Sequence, residues 1–447
     1  MSGSVVAADI LKAIQEGVPA PAPAPVAAIE AAVQGEYTES PASAMRRSIA
    51  KNLQASLQNS AQAQASAEMD VTALLAFKDS LKGMEEALGN KITLNEILSY
   101  IVVKLAAKHE GLNSVLTQDG MLRRLAFNSA PDRPFFISEW DTTWPNEFRA
   151  DSSLLMAAAG SLQGWGGFTI HTYMYATRRD QDVIGKELAA RTISNVPYRE
   201  GIFATWNDPA KFGMFYHAAL ITRRADVRRA EQSLAVAIDD LTRTPGNTPA
   251  FSLVAEQSKI GLVFDGEPHG ADKVIDPDTC VVDEKAGEVT SDTGEMWRSW
   301  AKRVGKIDSP RTQCIYGFLG EAGELSTQSM TVSASNEYAV VALSSLTDAA
   351  IDTSDNMLLT TVGRAENTGM KFSEDRTEVL DTGKAPIQIE VIEADIAIRT
   401  DKKNLTVWSI GPEGFYTGRI PSTCVDGVLK FHLGDTCQSM YYLILEE

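Results

Sequence analysis

The first part of the chain alternates between helical patterns of apolar positions and stretches that lack them. Ser4–Gln15 places its apolar side chains on one helical face. Pro19–Pro25 alternates proline with alanine, a composition that favours an extended polyproline II spacer. Helical periodicity resumes after Pro41 and continues in two further helices, predicted over 73–88 and 93–108. The pattern therefore predicts a short helix, a spacer and a mainly helical segment.

The spacing of apolar positions changes after this helical segment. The run Phe135–Ser138 predicts a buried strand, an alanine-rich stretch through Leu162 predicts a helix, and Phe168–Tyr173 predicts a second strand. This order of elements predicts a βαβ unit. Asp208 followed by Pro209 is a helix cap with proline at the first helical position, so a further helix is predicted there, through residue 221.

Short β-patterns dominate the chain from about residue 250 onward. Examples are Tyr338–Leu343, Met357–Val362 and Leu405–Ile410, and turns rich in Gly, Asp and Pro separate them. Many short strands with frequent turn residues predict one or two β-sandwich modules. The sequence contains no internal repeat.

Composition and charge narrow the classes of function. A soluble chain of 447 residues normally makes about two to four domains. The net charge of −18 opposes non-specific binding to nucleic acid or to anionic membranes. We expect a cytoplasmic protein, because there is no signal-peptide pattern and the best apolar run, Ile92–Ala107, is interrupted by polar residues. The four cysteines show no CxxC spacing, so reduced thiols are expected, with no metal and no cofactor.

Three segments of the N-terminal part have a distinctive order and spacing. They are Met45–Leu53, Asp70–Leu75 and Lys91–Glu96. Together they resemble the start of the catalytic domain of a dihydrolipoamide acyltransferase, the E2 component of 2-oxoacid dehydrogenase complexes. Residues 3–25 are similar to the last helix and linker of a peripheral subunit-binding domain. The resemblance implies a partial α/β acyltransferase fragment through which the chain can form oligomers.

The chemistry of that family depends on a late His-x-x-x-Asp-Gly motif. Its histidine acts as a base on a thiol, and its acid assists the tetrahedral intermediate. None of the five histidines of this chain is followed by aspartate four residues later: they are His109, His171, His217, His269 and His432. The resemblance therefore predicts an E2-type fragment without acyl transfer.

Two segments of the second part have features of barrel strands that end in catalytic groups. Arg133–Trp140 and Trp165–Tyr173 resemble the seventh and eighth strands of a retaining glycoside hydrolase of the clan with a (β/α)8 barrel. Thr361–Met370 is similar to a C-terminal β-module found with such barrels. The resemblance extends over residues 133–447, and it implies that Glu139 is the nucleophile.

The same resemblance implies a sugar-binding pocket around the Glu139 position. Indole rings offer flat apolar faces for sugar rings, and polar side chains pair with hydroxyl groups. The residues expected to contact carbohydrate are Trp140, Trp144, Asn146, Arg149, His171 and Tyr173. Core packing is an alternative role for Trp144. A surface salt-bridge cluster with Glu147 is an alternative for Asn146 and Arg149.

A retaining glycosidase needs a second carboxyl group at about 5–5.5 Å from its nucleophile. In this clan that acid follows the fourth strand, but the acyltransferase-like segment occupies the part of the chain where the first six strands are expected. Neither Asp141 nor Glu147 lies at the corresponding position. Impaired or absent hydrolysis is therefore expected.

The combined expectation is a mixed α/β and all-β fold in five parts. These are a subunit-binding stub at 1–17, an Ala/Pro linker at 18–40, a partial acyltransferase fragment at 41–125, the last strands of a (β/α)8 barrel at 133–245, and β-sandwich domains at 250–447. The first interpretation of function is a glycoside hydrolase-like protein that acts on or binds carbohydrate. An E2-type acyltransferase fragment is the second, and a non-enzymatic chimera or carbohydrate-binding β-module is the third.

Overall fold

The structure is a computed structural model. It describes residues 125–142, 144–171, 173, 205, 208–238, 253–276, 286–374, 376, 378–381, 383–434 and 436–447. The predicted subunit-binding stub, the linker and nearly all of the acyltransferase-like fragment lie outside the described residues.

The predicted βαβ unit is confirmed. Strand β1 (Phe136–Trp140) and strand β2 (Gly167–Ile170) pair in parallel, and helix α1 (Ser152–Gln163) connects them. The helix ends at Gly164, whose φ of 67° is left-handed and readily adopted by glycine. Within the described residues β1 and β2 pair with each other and not with a larger sheet, so the predicted barrel is not confirmed.

Two short helices follow where a single helix is predicted. The Asp208 carboxylate accepts hydrogen bonds from the first backbone amides of α2 (Pro209–Phe212), as the sequence predicts. The chain then breaks, and α3 (Phe215–Arg224) continues separately. At Gly213 a Cβ would lie 2.7 Å from the Cγ2 atom of Val362, so close packing against a distant strand fixes this glycine at the break.

A small parallel sheet lies between the βαβ unit and the β-rich part along the sequence. Its order is β4 (Lys259–Val263), β3 (Ser233–Ala237) and β5 (Lys273–Ile275), with β3 in the centre. Helix α4 (Val254–Gln257) precedes β4. Its core is a buried cluster that includes Leu253 at the start of α4.

Residues 286–447 form most of the β-structure. The strands in chain order are β6 (Glu288–Thr290), β7 (Met296–Ser299), β8 (Val304–Asp308), β9 (Thr312–Gly317), β10 (Leu325–Ser326), β11 (Met330–Ala334), β12 (Ala339–Ser345), β13 (Asn356–Val362), β14 (Ala365–Thr368), β15 (Lys371–Phe372), β16 (Val379–Asp381), β17 (Lys384–Ile389), β18 (Ala394–Arg399), β19 (Leu405–Ile410), β20 (Tyr416–Ile420), β21 (Ser422–Val425), β22 (Val428–Leu433) and β23 (Tyr441–Glu446). Helix α5 (Leu319–Ala322) and a 3-10 turn (Ile351–Thr353) interrupt them.

These strands form two large antiparallel sheets and two small ribbons. The larger sheet has the order β20-β19-β23-β13-β12-β9-β8-β7-β6, and the smaller has the order β10-β11-β18-β22-β21. Side chains from both sheets share one buried cluster, with Val341 and Leu359 from the larger sheet and Ile396 and Phe431 from the smaller. Facing sheets joined by one core are the arrangement of a β-sandwich.

The other face of the nine-stranded sheet packs against helices α1 and α3. Leu154 and Ile221 from these helices share a buried cluster with Tyr316 and Val340 from the sheet. A second core therefore joins the βαβ unit to the sandwich. None of the helices in the described residues is long and apolar enough to cross a membrane.

Candidate functional site

The predicted nucleophile position faces a histidine at the edge of the parallel pair. Glu139 is the penultimate residue of β1, and His171 directly follows β2. Parallel strands end at the same edge, so these side chains meet: Glu139 Oε2 lies 3.3 Å from His171 Nδ1. The backbone N–H of His171 also donates to the carbonyl of Trp140 at 2.7 Å. The Glu139 side chain is 69% exposed, so the carboxylate is open to solvent.

Both tryptophans of the predicted pocket are buried. Trp140 is 7% exposed and packs with Ile137 and Met156, and Trp144 is 8% exposed. The buried Nε1–H of Trp140 has no hydrogen-bond partner within the described residues. The indole rings of Trp140 and Trp144 therefore belong to the core and offer little exposed surface to a sugar ring. Tyr173, the last residue of the predicted set, is 61% exposed.

Arg149 lies in the protein interior with its donors directed at protein acceptors. Its guanidinium forms a bidentate ion pair with Asp208, at 2.7 Å and 3.0 Å. It also donates to the carbonyl oxygens of Asn146 at 2.8 Å and Ala365 at 2.9 Å. The Asn146 side chain accepts from the backbone N–H of Phe148 at 2.9 Å. These contacts tie the loop after β1 to helix α2 and to strand β14.

A second buried ion pair lies beside this one. Both carboxylate oxygens of Asp141 accept from Lys211 Nζ at 2.8 Å, and the two side chains are 2% and 0% exposed. Burial raises the pKa of Asp141 and lowers the pKa of Lys211, while the ion pair opposes both shifts. Asp141 follows Glu139 by two residues, so this pair anchors the end of the strand that carries Glu139.

Glu147 takes part in a cluster of charges with two arginines. Its carboxylate accepts two hydrogen bonds from Arg376, and Arg364 lies 3.7 Å away. The hydrogen bonds that Arg376 donates to Glu147 raise the pKa of Arg376. Arg376 also contacts Glu366 at 3.1 Å. A salt-bridge cluster is thus present, but it joins Glu147 to the β-ribbons rather than to Arg149.

The described residues hold no candidate metal centre and no second carboxyl group bonded to Glu139. No three His, Cys, Asp or Glu side chains within these ranges are arranged to hold a metal ion. Within the part of the chain that the structure describes, Glu139 forms an ion pair with His171. The geometry supplies a carboxylate and an imidazole that lie 3.3 Å apart at one edge of the parallel pair.

A cavity in the β-sandwich was not predicted from the sequence. It is an open depression on the five-stranded sheet with a volume of about 530 Å³. We call it the trough, and define it by six polar residues along its lining: Glu324, Thr331, Ser333, Asp395, Lys430 and His432. The signal in the sequence is an alternation of polar and apolar residues in β18 and β22, but finding the trough also requires the strand register.

The N-terminal segment matches a known family. The model of the 2-oxoacid dehydrogenases acyltransferase (catalytic domain) family matches residues 34–128. No curated protein and no solved structure matches the chain. The family match agrees with the resemblance predicted for residues 41–119 and covers well under half of the chain. The comparisons give no support to the glycosidase resemblance of residues 133–447.

Proposed function

We propose that this chain is derived from an E2-type acyltransferase and uses its N-terminal segment to associate with components of a 2-oxoacid dehydrogenase complex. The observation that carries the proposal is the family match over residues 34–128. That range contains the three ordered segments Met45–Leu53, Asp70–Leu75 and Lys91–Glu96. The role of this segment is association and not acyl transfer.

The chemistry of acyl transfer supports a role in association rather than in catalysis. A positioned base contributes about 10²–10⁴-fold to such a reaction. In this family the base is the histidine of a His-x-x-x-Asp-Gly motif, which the 447 residues do not contain. His432 has aspartate three residues later, but it lies in strand β22 of the sandwich. The segment can therefore retain a family surface while lacking the group that activates the thiol.

Association is tested by measuring the mass of the full chain by light scattering, alone and with an E1 or E3 component of a 2-oxoacid dehydrogenase complex. Ile49→Asp and Leu53→Asp alter the apolar stripe predicted for the helix after Pro41, and Gln58→Asp is the control on its polar side. We expect assemblies in the native chain and in the control, and smaller species in the two stripe variants. A native chain that is monomeric and binds neither component would refute the proposal.

A second function is favoured by the Glu139–His171 pair. Two polar groups at the ends of adjacent parallel strands occupy the place where barrel enzymes carry their catalytic groups. On this proposal the second part is glycosidase-like and acts on or binds carbohydrate through Glu139. The buried Asp141–Lys211 pair holds the strand end in place. Hydrolysis is impaired on this proposal, because neither Asp141 nor Glu147 lies at the sequence position where this clan carries its acid.

Activity is tested with a panel of aryl glycosides, whose good leaving groups need little help from an acid. We expect slow release of the aryl group that is lost in Glu139→Gln. Glu288→Gln, at an exposed position of strand β6, is the matched control. Release that is equal in the native chain and in Glu139→Gln would exclude Glu139 as the nucleophile.

A further inference from the structure

The trough lies on the face of the five-stranded sheet that points away from the sandwich core. Along one line across the strands, Ser333 of β11 pairs with Asp395 of β18, which pairs with His432 of β22. The inward residues of the same strands, such as Ile396 and Phe431, are buried in the core. Because side chains alternate between faces, a row of polar groups crosses the outer surface of the sheet.

A second row crosses the sheet beside the first, and its central residue is small. Thr331 of β11 pairs with Ala397 of β18, Ala397 pairs with Lys430 of β22, and Lys430 pairs with Thr423 of β21. Ala397 lies between the longer side chains of Thr331 and Lys430, so the surface is depressed at the middle of the sheet. Its methyl group gives this depression an apolar floor.

The charged groups of the trough are only partly paired with one another. His432 Nδ1 contacts Asp395 Oδ1 at 2.9 Å, and the Asp395 side chain is 78% exposed. The side chains of Lys430 and Glu324 are both exposed and form no ion pair or hydrogen bond with one another or with other described residues. The trough therefore presents one ammonium and two carboxylates to solvent.

The distribution of charge selects against anionic ligands. Two carboxylates face one ammonium group in the trough, and the whole chain carries a net charge of −18. A phosphate or an acidic sugar polymer would meet repulsion from both the trough and the remainder of the protein. A neutral ligand with many groups that both donate and accept hydrogen bonds fits this mixture of ammonium, carboxylate and hydroxyl groups.

We propose that the trough binds a neutral oligosaccharide, independently of the Glu139 site and of the acyltransferase-like segment. Sugar hydroxyls can accept from Lys430 and donate to Glu324 and Asp395, while a C–H face of the ring lies over Ala397. The volume of about 530 Å³ falls within the range of ligand pockets, about 300–1,000 Å³. A ligand in this position contacts three adjacent strands of a rigid sheet.

The test measures binding of neutral tetrasaccharides (β- and α-linked glucose, mannose and xylose) to the full chain by calorimetry, with tetragalacturonate as the anionic comparison. Ala397→Trp fills the depression, and Lys430→Ala removes the ammonium. Val425→Trp is the matched control, because Val425 is 64% exposed on strand β21 of the same sheet and outside the trough lining. Urea midpoints establish that each variant is folded.

We expect one or more neutral tetrasaccharides to bind. Binding should be lost in Ala397→Trp, weakened about tenfold in Lys430→Ala, and unchanged in Val425→Trp. The proposal is overturned by the absence of binding to every neutral tetrasaccharide, by preferential binding of tetragalacturonate, or by binding that persists in a folded Ala397→Trp variant. Loss of binding in Glu139→Gln would instead assign the sugar to the Glu139 site.

Discussion

Acidification should destabilise the β-sandwich through His217 of helix α3. This side chain is fully buried, and its two ring nitrogens contact Ser344 Oγ and Thr360 Oγ1, each at 2.7 Å. Burial, with a smaller contribution from the charge of Arg224, lowers its pKa from 6.5 to about 3. The folded protein therefore keeps His217 uncharged at pH values where the unfolded chain protonates it.

The sign and size of the effect follow from this difference in pKa. Between pH 6.5 and about 3 the unfolded state binds one more proton at His217 than the folded state does. The free energy of unfolding therefore falls as the pH is lowered through this window, by about 1.4 kcal/mol per pH unit and by roughly 5 kcal/mol in total. Above pH 6.5 the histidine contributes no pH dependence, because both states are uncharged.

Urea unfolding followed by tryptophan fluorescence at pH 7.5, 6.5, 5.5 and 4.5 measures this dependence. His217→Gln keeps hydrogen-bonding groups but cannot titrate. Below pH 6.5 its free energy of unfolding should therefore fall less steeply than that of the native chain, with a difference in slope of about 1.4 kcal/mol per pH unit. His269→Gln is the control, because His269 is 39% exposed and its pKa is raised by Asp265. A raised pKa gives a contribution of the opposite sign, so the stability of this variant should decline at least as steeply as that of the native chain. Equal slopes for the native chain and His217→Gln would refute the reasoning.

Three further changes have predictable effects on stability. Arg149→Ala leaves the buried carboxylate of Asp208 without its bidentate partner, and it should cost about 3–5 kcal/mol in urea unfolding. Lys211→Met should be less destabilising at pH 5 than at pH 8, because the pKa of Asp141 is already raised by burial and protonation then removes the unpaired charge. Gly305→Ala should cost about 1–3 kcal/mol, because its Cβ would lie 2.3 Å from the ring of a tyrosine on the neighbouring strand.

Each of these effects has an outcome that would contradict it. Arg133→Ala, at a side chain that is 77% exposed, should change the unfolding free energy by less than about 0.5 kcal/mol. Equal losses in Arg133→Ala and Arg149→Ala would remove the assigned role of the interior ion pair. A Lys211→Met variant equally destabilised at both pH values would mean that Asp141 does not titrate between them. A Gly305→Ala variant with native stability would show that the strands separate at little cost.

Local signals in the sequence predicted the elements around the candidate site, but not their contacts. The strand at Phe135–Ser138 and the cap at Asp208 depend on neighbouring residues, so the pattern was sufficient for both. The predicted helix through residue 221 is interrupted at Gly213 and Met214, and Gly213 lies close to Val362 on a strand about 150 residues away. No local pattern reports such a contact.

In the candidate site, too, some features follow from the local sequence and others depend on long-range contacts. The proximity of Glu139 and His171 follows from the rule that parallel strands end together, and the sequence could supply it. The ion pair of Arg149 with Asp208 spans 59 residues, so its burial could not be predicted from the local sequence. The trough depends on the register of β11, β18 and β22, which tertiary pairing sets.

The core shared by α1, α3 and the nine-stranded sheet limits how this chain can be divided by recombination. Leu154, Ile221 and Val340 belong to one buried cluster to which both parts contribute. A gene that carried residues 250–447 to another protein would lose the helices and expose an apolar sheet face, which promotes aggregation. A gene that carried residues 133–245 alone would expose the matching helices. Recombination that separates the two parts would therefore expose apolar surface on both of them.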